Sequence, residues 1–144
     1  LDRALAMGAD DALLNTGGDD VQRQVRSLTG GYGADIVIEA VGQPETWELS
    51  VKLVRRGGTV NFFGGCPNDT RVNLETSLLH YSEISCLASF HHTPAFIQKA
   101  LDIVSKGHIT SRDFVNKQEP LHNLLDVMKH LMSHNGHMKT AIIP

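Results

Sequence analysis

Two stretches decide the fold of this chain: Gly33-Ala-Asp-Ile-Val-Ile-Glu-Ala-Val-Gly42 and, after a helical segment, Gly57-Gly-Thr-Val-Asn-Phe-Phe-Gly-Gly65. Each contains an apolar run that stops at glycine, and a helix started by Pro44 lies between them. This order predicts a strand, a helix and a parallel strand. Both strands end in glycine at their carboxyl ends, the edge at which open α/β sheets bind ligands. We therefore expect the residues at that edge to indicate the function of the chain.

Three further elements are predicted before this unit from helical periodicity and turn residues. Residues 1–7 resemble the tail of a helix that ends at Gly8, and Ala12–Asn15 is predicted as a short strand followed by a turn over 16–18. Asp19 is expected to cap the next helix, with Gln22 in capping-box register. The apolar stripe of that helix is Val21, Val25 and Leu28.

Within the central unit, the helix after Pro44 carries Trp47, Val51 and Val54 at helical spacing. The pair Gly57-Gly58 is expected to break this helix before a strand over Thr59–Phe63. Two more segments follow: Val72–Leu74, predicted as an exposed edge or an interface, and Glu83–Phe90, predicted as a strand.

Two helices, a connection and a strand are predicted after residue 90. In order they are a helix from Thr93-Pro94 to Gly107, a connection over 108–120, a helix over Leu121–His134 closed by Gly136, and a strand over Lys139–Ile143. The buried helix faces are predicted to consist of Phe96, Ile97, Ala100, Leu101, Val104, Leu121, Leu124, Leu125, Met128, Leu131 and Met132. Alternating strands and helices place the chain in the α/β class, with a mostly parallel sheet up to Phe90. Residues 1–90 and 91–144 need not belong to one packed unit.

Composition and charge narrow the function classes. The 144 residues are enough for one domain, and 13 Lys and Arg against 16 Asp and Glu give a net charge of -3, with no basic run that would mark a nucleic-acid surface. No apolar stretch is long enough for a membrane helix and no signal peptide is recognisable, so we expect a soluble, cytoplasmic protein. The two cysteines, Cys66 and Cys86, are expected to be free thiols. A chain that opens with Leu1, inside a helical pattern, is expected to be a segment of a longer protein.

Polar motifs offer weaker candidates. His130 and His134 have the spacing of two metal ligands on a helix, with His137 close behind, but Leu131 stands where a zincin motif needs glutamate. We therefore predict solvated histidines and no metal site there. The pair His91-His92 is equally compatible with an ordinary helix-entry loop. Asp10-Asp11 precedes a predicted strand, whereas the acidic pair of a phosphate-accepting receiver domain follows one.

The glycine ends of the two central strands are the stronger candidate. They could simply form a turn and relieve crowding, but two parallel strands that end alike at one sheet edge favour a nucleotide or dinucleotide crevice. The phosphate-binding pattern Gly-x-Gly-x-x-Gly is not present in the chain.

Three motifs carry a resemblance to a known family: Leu-x-x-Ala-x-x-Met-Gly-Ala-Asp over 1–10, the run over 28–42, and Arg-Arg-Gly-Gly-Thr-Val-Asn-Phe-Phe-Gly-Gly over 55–65. With them the chain resembles the zinc-dependent medium-chain alcohol dehydrogenases, and the sorbitol and threonine dehydrogenase branch is nearest. The resemblance implies a partial Rossmann fold, a doubly wound parallel sheet that lacks its first two strands. It also implies that residues 1–90 belong to the NAD(P)-binding domain, and that 91–144 supply helices and a strand that return to the GroES-like catalytic domain.

The same resemblance implies site residues by position. Val41, Gly42, Gly64 and Gly65 would lie beside the nicotinamide ribose. The carbonyls of Phe63 and Ala88 and the amide of Phe90, with Ser89 between the last two, would hold the nicotinamide carboxamide. Lys139 stands where the family often has an arginine on the pyrophosphate, and a lysine there supplies charge without the bidentate fork.

The implied reaction is hydride transfer between an alcohol or polyol and NAD or NADP, with a zinc ion that polarises the substrate oxygen in the intact enzyme. No cysteine or histidine of this chain matches the zinc ligands, so we assign it no catalytic and no metal residues and expect it to be inactive alone. We also expect a homo-oligomer, because exposed strand edges favour association. Two rival classes remain: a non-enzymatic nucleotide-binding or regulatory module, and a methyltransferase built on a similar sheet.

Overall fold

The computed structural model describes residues 1–16, 19–133 and 138–144. The chain divides into two compact units, Leu1–Phe90 and His91–Pro144. The elements of the first unit are α1 (Asp2–Ala6), α2 (Asp20–Leu28), β1 (Ala34–Glu39), α3 (Pro44–Leu53), β2 (Val54–Phe62), α4 (Thr76–Tyr81) and β3 (Ser85–Ala88).

A three-stranded parallel sheet in the order β1-β2-β3 forms the centre of the first unit. In its register Val37 pairs with Val60, and Phe62 pairs with both Glu39 and Ala88. The α/β class, the parallel sheet and the strand-helix-strand unit are therefore confirmed.

The core lies between this sheet and α3. Val51 of α3 packs with Val54, Val60 and Phe62 of β2, and the Trp47 ring stacks on Phe62 with centroids 4.0 Å apart. Because Trp47 and Val51 are one helical turn apart, the same face of α3 covers the sheet over both positions. The predicted helix after Pro44 is confirmed.

The predicted strand at Ala12–Asn15 is wrong, since these residues have no regular structure. A strand needs a neighbouring strand for its backbone hydrogen bonds, and none of the described strands pairs with this segment. The expected break at Gly57-Gly58 is also wrong, because β2 begins at Val54, directly after α3. The glycines instead lie where the β1–β2 register shifts, and Gly57 adopts a positive φ of 68° and donates its N–H to the Ser82 carbonyl.

Other local predictions for the first unit are corrected as well. Asp19 precedes α2 but makes no capping hydrogen bond, because its own backbone is already helical, and Gln22 Nε2 donates instead to the Lys52 carbonyl. Of the predicted stripe on α2, only Val21 is buried. Val72–Leu74 forms no strand, and the helix α4 that follows it was not predicted. The third strand is shorter than predicted.

The second unit contains α5 (Pro94–Ser105), α6 (Ser111–Phe114), β4 (Val115–Pro120), a 3-10 turn (Leu121–Asn123), α7 (Leu124–Met132) and β5 (Lys139–Ile143). The start of α5 at Pro94 is confirmed, and the Thr93 hydroxyl accepts a hydrogen bond from the Phe96 amide. The final strand is confirmed too, and it pairs in parallel with β4. None of the helices in the described ranges is long and apolar enough to cross a membrane.

Three predictions for the second unit are wrong. The connection over 108–120 contains α6 and β4, and β4 was missed because its polar sequence lacks apolar alternation and forms a strand only beside β5. The last helix begins with a separate 3-10 turn, and its predicted end at His134 and Gly136 lies outside the described residues. The predicted buried helix faces are exposed, as Phe96 at 62% and Leu125 at 74% illustrate. An amphipathic stripe is buried only where another layer packs on it, and a two-stranded sheet is too small for this.

Candidate functional site

The carboxyl ends of three parallel strands meet at one edge of the first unit. Glu39, at the end of β1, pairs with Phe62, at the end of β2, and Phe62 pairs with Ala88, at the end of β3. The predicted site residues of this unit occupy or directly follow these ends. They are Val41 and Gly42 after β1, Phe63, Gly64 and Gly65 after β2, and Ala88, Ser89 and Phe90 at the end of β3.

We call residues Val41–Gly42 the first lip and residues Phe63–Gly65 the second lip. The two lips touch through their backbones. A Cβ built on Gly42, whose φ is 78°, would lie 2.9 Å from the Gly65 carbonyl carbon and closer still to its oxygen. A Cβ on Gly64 would lie 2.8 Å from the Val41 amide nitrogen. Gly42 and Gly64 are therefore required by the contact between the lips, as expected if these glycines relieve crowding. A Cβ on Gly65, in contrast, would meet no described atom within 4 Å.

Glu39 lies beneath the first lip and is only 3% exposed. Its Oε1 accepts hydrogen bonds from the amides of Val41 and Gly42, both at 2.9 Å, and from the Thr46 hydroxyl at 2.7 Å. Burial raises the pKa of Glu39, but the hydrogen bonds from Thr46 and from the two amides act against it, and the pKa is lowered overall. The carboxylate is therefore ionised at neutral pH.

The main chain of Glu39 holds the second lip. Its carbonyl accepts hydrogen bonds from the amides of Phe63 at 2.9 Å and Gly64 at 2.8 Å. The Trp47 indole N–H donates to the Gly64 carbonyl at 2.9 Å. Sequence reasoning missed the roles of Glu39 and Trp47. The available signal was the position of Glu39 on the same side of the strand as Val37. That side faces the core, where a charged group needs hydrogen-bond partners.

The end of β3 is tied through Ser89 to the end of β2, directly before the second lip. Its amide donates to the Phe62 carbonyl at 3.1 Å, and its hydroxyl donates to the Asn61 side chain at 3.0 Å. Large apolar side chains are exposed along the edge, with Val41 at 66%, Phe63 at 64% and Phe90 at 88% exposure. An edge with exposed apolar side chains and ordered main-chain groups can bind a flat, polar-edged ring.

The candidate residues that follow residue 90 belong to the second unit. Lys139 is exposed at the start of β5 in the second unit. His130 is in α7, while His134 and His137 lie outside the described residues. No group of three metal-binding side chains occurs in the parts of the chain that the structure describes, so we assign none of the described residues to a zinc ion. Cys66, predicted to be free, is unpaired, and burial, with the charges of Glu39 and Glu45, raises the pKa of its thiol.

Known proteins share sequence with this chain. The sequence model for zinc-binding dehydrogenases matches residues 1–106. The chain belongs to this family. The resemblance to zinc-dependent medium-chain dehydrogenases is thereby confirmed.

Two relatives among the zinc-binding dehydrogenases are named for polyol substrates. The sorbitol dehydrogenase of Bacillus subtilis (strain 168) is 24% identical over 145 residues, which covers 100% of this chain and 40% of the relative. The D-arabitol-phosphate dehydrogenase of Enterococcus avium is 28% identical over 132 residues, covering 92% of this chain and 37% of the relative.

A solved structure described as a zinc-binding dehydrogenase of Sinorhizobium meliloti 1021 bound to NADP is similar in fold. Its TM-score is 0.83 at 29% identity, and the match covers 99% of this chain and 42% of that one. The chain thus spans about 40% of the length of the relatives it matches.

Proposed function

We propose that the first unit binds the nicotinamide half of NAD or NADP, as part of an oxidoreductase that transfers a hydride between a small-molecule alcohol or polyol and that cofactor. The observation that carries this proposal is the meeting of three parallel strand ends at one edge, with open space in front of Gly65. In parallel sheets this edge is where ligands bind. The polyol names of two relatives support the substrate class.

The individual contacts in this proposal are made largely by the main chain. Val41, Gly42, Gly64 and Gly65 border the ribose. The carboxamide is held by main-chain groups of Phe63, Ala88 and Phe90, with Ser89 between the last two. Ordered main-chain groups fit such contacts, since the Ser89 hydrogen bonds to Phe62 and Asn61 fix the end of β3 beside the end of β2. When bound, the nicotinamide ring supplies the hydride chemistry, and this chain's residues bind and orient the ring.

Lys139 is proposed to supply positive charge to the cofactor pyrophosphate. It is exposed and therefore available to an anion. Residues 91–144 are proposed to associate with the catalytic domain, and zinc is proposed to act in the intact enzyme through residues outside this chain. We further propose a cytoplasmic homo-oligomer. The exposed Ile36 and Ile38 on β1, at 65% and 64%, support association, which light scattering after size-exclusion chromatography would test.

The experiment that tests the function combines an assay with a titration of the purified 144-residue chain. We expect no oxidation of sorbitol with NAD or NADP, because the described residues provide no zinc site. We expect weak, millimolar binding of NAD, because the chain has no Gly-x-Gly-x-x-Gly pattern to bind the phosphates. Turnover by the chain alone would contradict the proposed division of roles. Micromolar binding of AMP without turnover would instead support the regulatory-module alternative.

A further inference from the structure

We propose that Glu39 is a positioning residue, whose ionised side chain holds the first lip in place against the second lip. The part of this inference that concerns ligand binding rests on the proposed function. The part that concerns the position of the first lip does not, and amide exchange measures it independently of any ligand.

Three groups donate to Glu39 Oε1, namely the amides of Val41 and Gly42 and the hydroxyl of Thr46. The turn in which Gly42 has a positive φ presents the amides of Val41 and Gly42 to this one oxygen. Charge-assisted hydrogen bonds are shorter and about twice as strong as neutral ones, so the carboxylate fixes both amides of the first lip.

The main chain of the same residue also holds the second lip. The Glu39 carbonyl accepts from the amides of Phe63 and Gly64. Trp47, one residue after Thr46 on α3, donates its indole N–H to the Gly64 carbonyl and stacks on Phe62. Both lips therefore share one anchor, and a displacement of the Glu39 side chain would shift the first lip against the second.

The other carboxylate oxygen of Glu39 makes no comparable contacts in the described part of the chain. Glu39 Oε2 is buried and, within the described residues, has no hydrogen-bond partner. It lies 2.6 Å from the position that a Cβ of Gly64 would occupy, which leaves no room for a side chain at Gly64. A buried charge with one unpaired oxygen is a poor way to stabilise a core. We therefore assign its benefit to the placement of the first lip, whose two amides both donate to Oε1.

The test compares Glu39→Gln with Glu48→Gln. Glu48 is a matched control, because its Oε1 also accepts from a backbone amide, that of Asn73, at 2.7 Å. Amide hydrogen exchange by NMR measures the positioning directly. In Glu39→Gln we expect about tenfold faster exchange at Val41 and Gly42, since a neutral acceptor holds them less tightly. In Glu48→Gln we expect this change only at Asn73.

Binding of nicotinamide mononucleotide to the same variants measures the consequence for the ligand. We expect the dissociation constant to rise about tenfold in Glu39→Gln and to stay unchanged in Glu48→Gln. Unchanged exchange at Val41 and Gly42 in Glu39→Gln would overturn the positioning role. If the wild-type chain binds no nicotinamide mononucleotide, the proposed function fails, while the exchange rates still decide the positioning role.

A second variant covers the case in which Glu39→Gln does not fold. Thr46→Val keeps the charge and removes one of its three donors. With fewer hydrogen bonds to define its rotamer, the carboxylate should hold the first lip less firmly. We expect a smaller increase in exchange at the same two amides, and equal exchange in Thr46→Val and wild type would count against the proposal.

Discussion

Gly42 and Gly65, which follow neighbouring parallel strands, are in direct backbone contact at the edge of the sheet. A Cβ on Gly42 would reach within 2.9 Å of the Gly65 carbonyl carbon, whereas a Cβ on Gly65 would meet no described atom within 4 Å. The contact is thus asymmetric. One glycine is required by the fold, and the other borders open space that a ligand can occupy.

This asymmetry predicts opposite results for two alanine substitutions. Gly42→Ala should lower the free energy of unfolding by about 2–4 kcal/mol, because the new Cβ collides with backbone and the positive φ is strained. Gly65→Ala should lower it by less than about 1 kcal/mol. Urea denaturation followed by circular dichroism measures both. A Gly65→Ala variant as unstable as Gly42→Ala would show that the lips pack differently.

Glu39 predicts a pH dependence of stability. Its folded-state pKa lies below its unfolded value of about 4.3, so its contribution is fully present above that value and is lost as the pH falls through the folded pKa. Urea denaturation between pH 6 and pH 3 should therefore show the difference between wild type and Glu39→Gln shrinking towards low pH. The difference isolates Glu39, because the other carboxylates titrate in both proteins. A difference that grows as the pH falls would contradict the assigned direction.

Trp47 is predicted to contribute through two separable contacts. Trp47→Phe keeps an aromatic ring to stack on Phe62 but removes the N–H that donates to the Gly64 carbonyl, and it should cost about 1 kcal/mol of unfolding free energy. Trp47→Ala removes both contacts and should cost about 3–5 kcal/mol. Circular dichroism is the suitable probe, since the chain contains 1 tryptophan and both variants lose its fluorescence. Equal costs for the two variants would mean that stacking contributes nothing.

The parts of the fold that sequence predicted well depend on local rules. Pro44 fixed the start of α3, and the spacing of Trp47 and Val51 identified its buried face. The glycine-ended strands identified the edge at which the candidate site lies. These signals sit within a few residues of the structure they specify, so no knowledge of distant partners was needed.

The parts that failed depend on partners far away in the chain. The β4 strand has a polar sequence and forms beside β5, which begins 19 residues after β4 ends. Ala12–Asn15 has a strand-like sequence, but none of the described strands pairs with it. The helix α5 is amphipathic, but its apolar face, which includes Leu101, is exposed. Glu39 was overlooked because its role depends on hydrogen bonds that only the folded turn creates.

The central claim is that this edge binds the nicotinamide half of the cofactor. Titration of the isotope-labelled chain with nicotinamide mononucleotide, and separately with AMP, tests it through the amide signals in NMR spectra. Nicotinamide mononucleotide should shift the signals of Val41, Gly42 and Gly65, and the Gly65→Ala variant should weaken this response, because its Cβ enters the open space. AMP should leave the three signals in place. Equal shifts with both ligands, or none with nicotinamide mononucleotide at millimolar concentration, would contradict the claim.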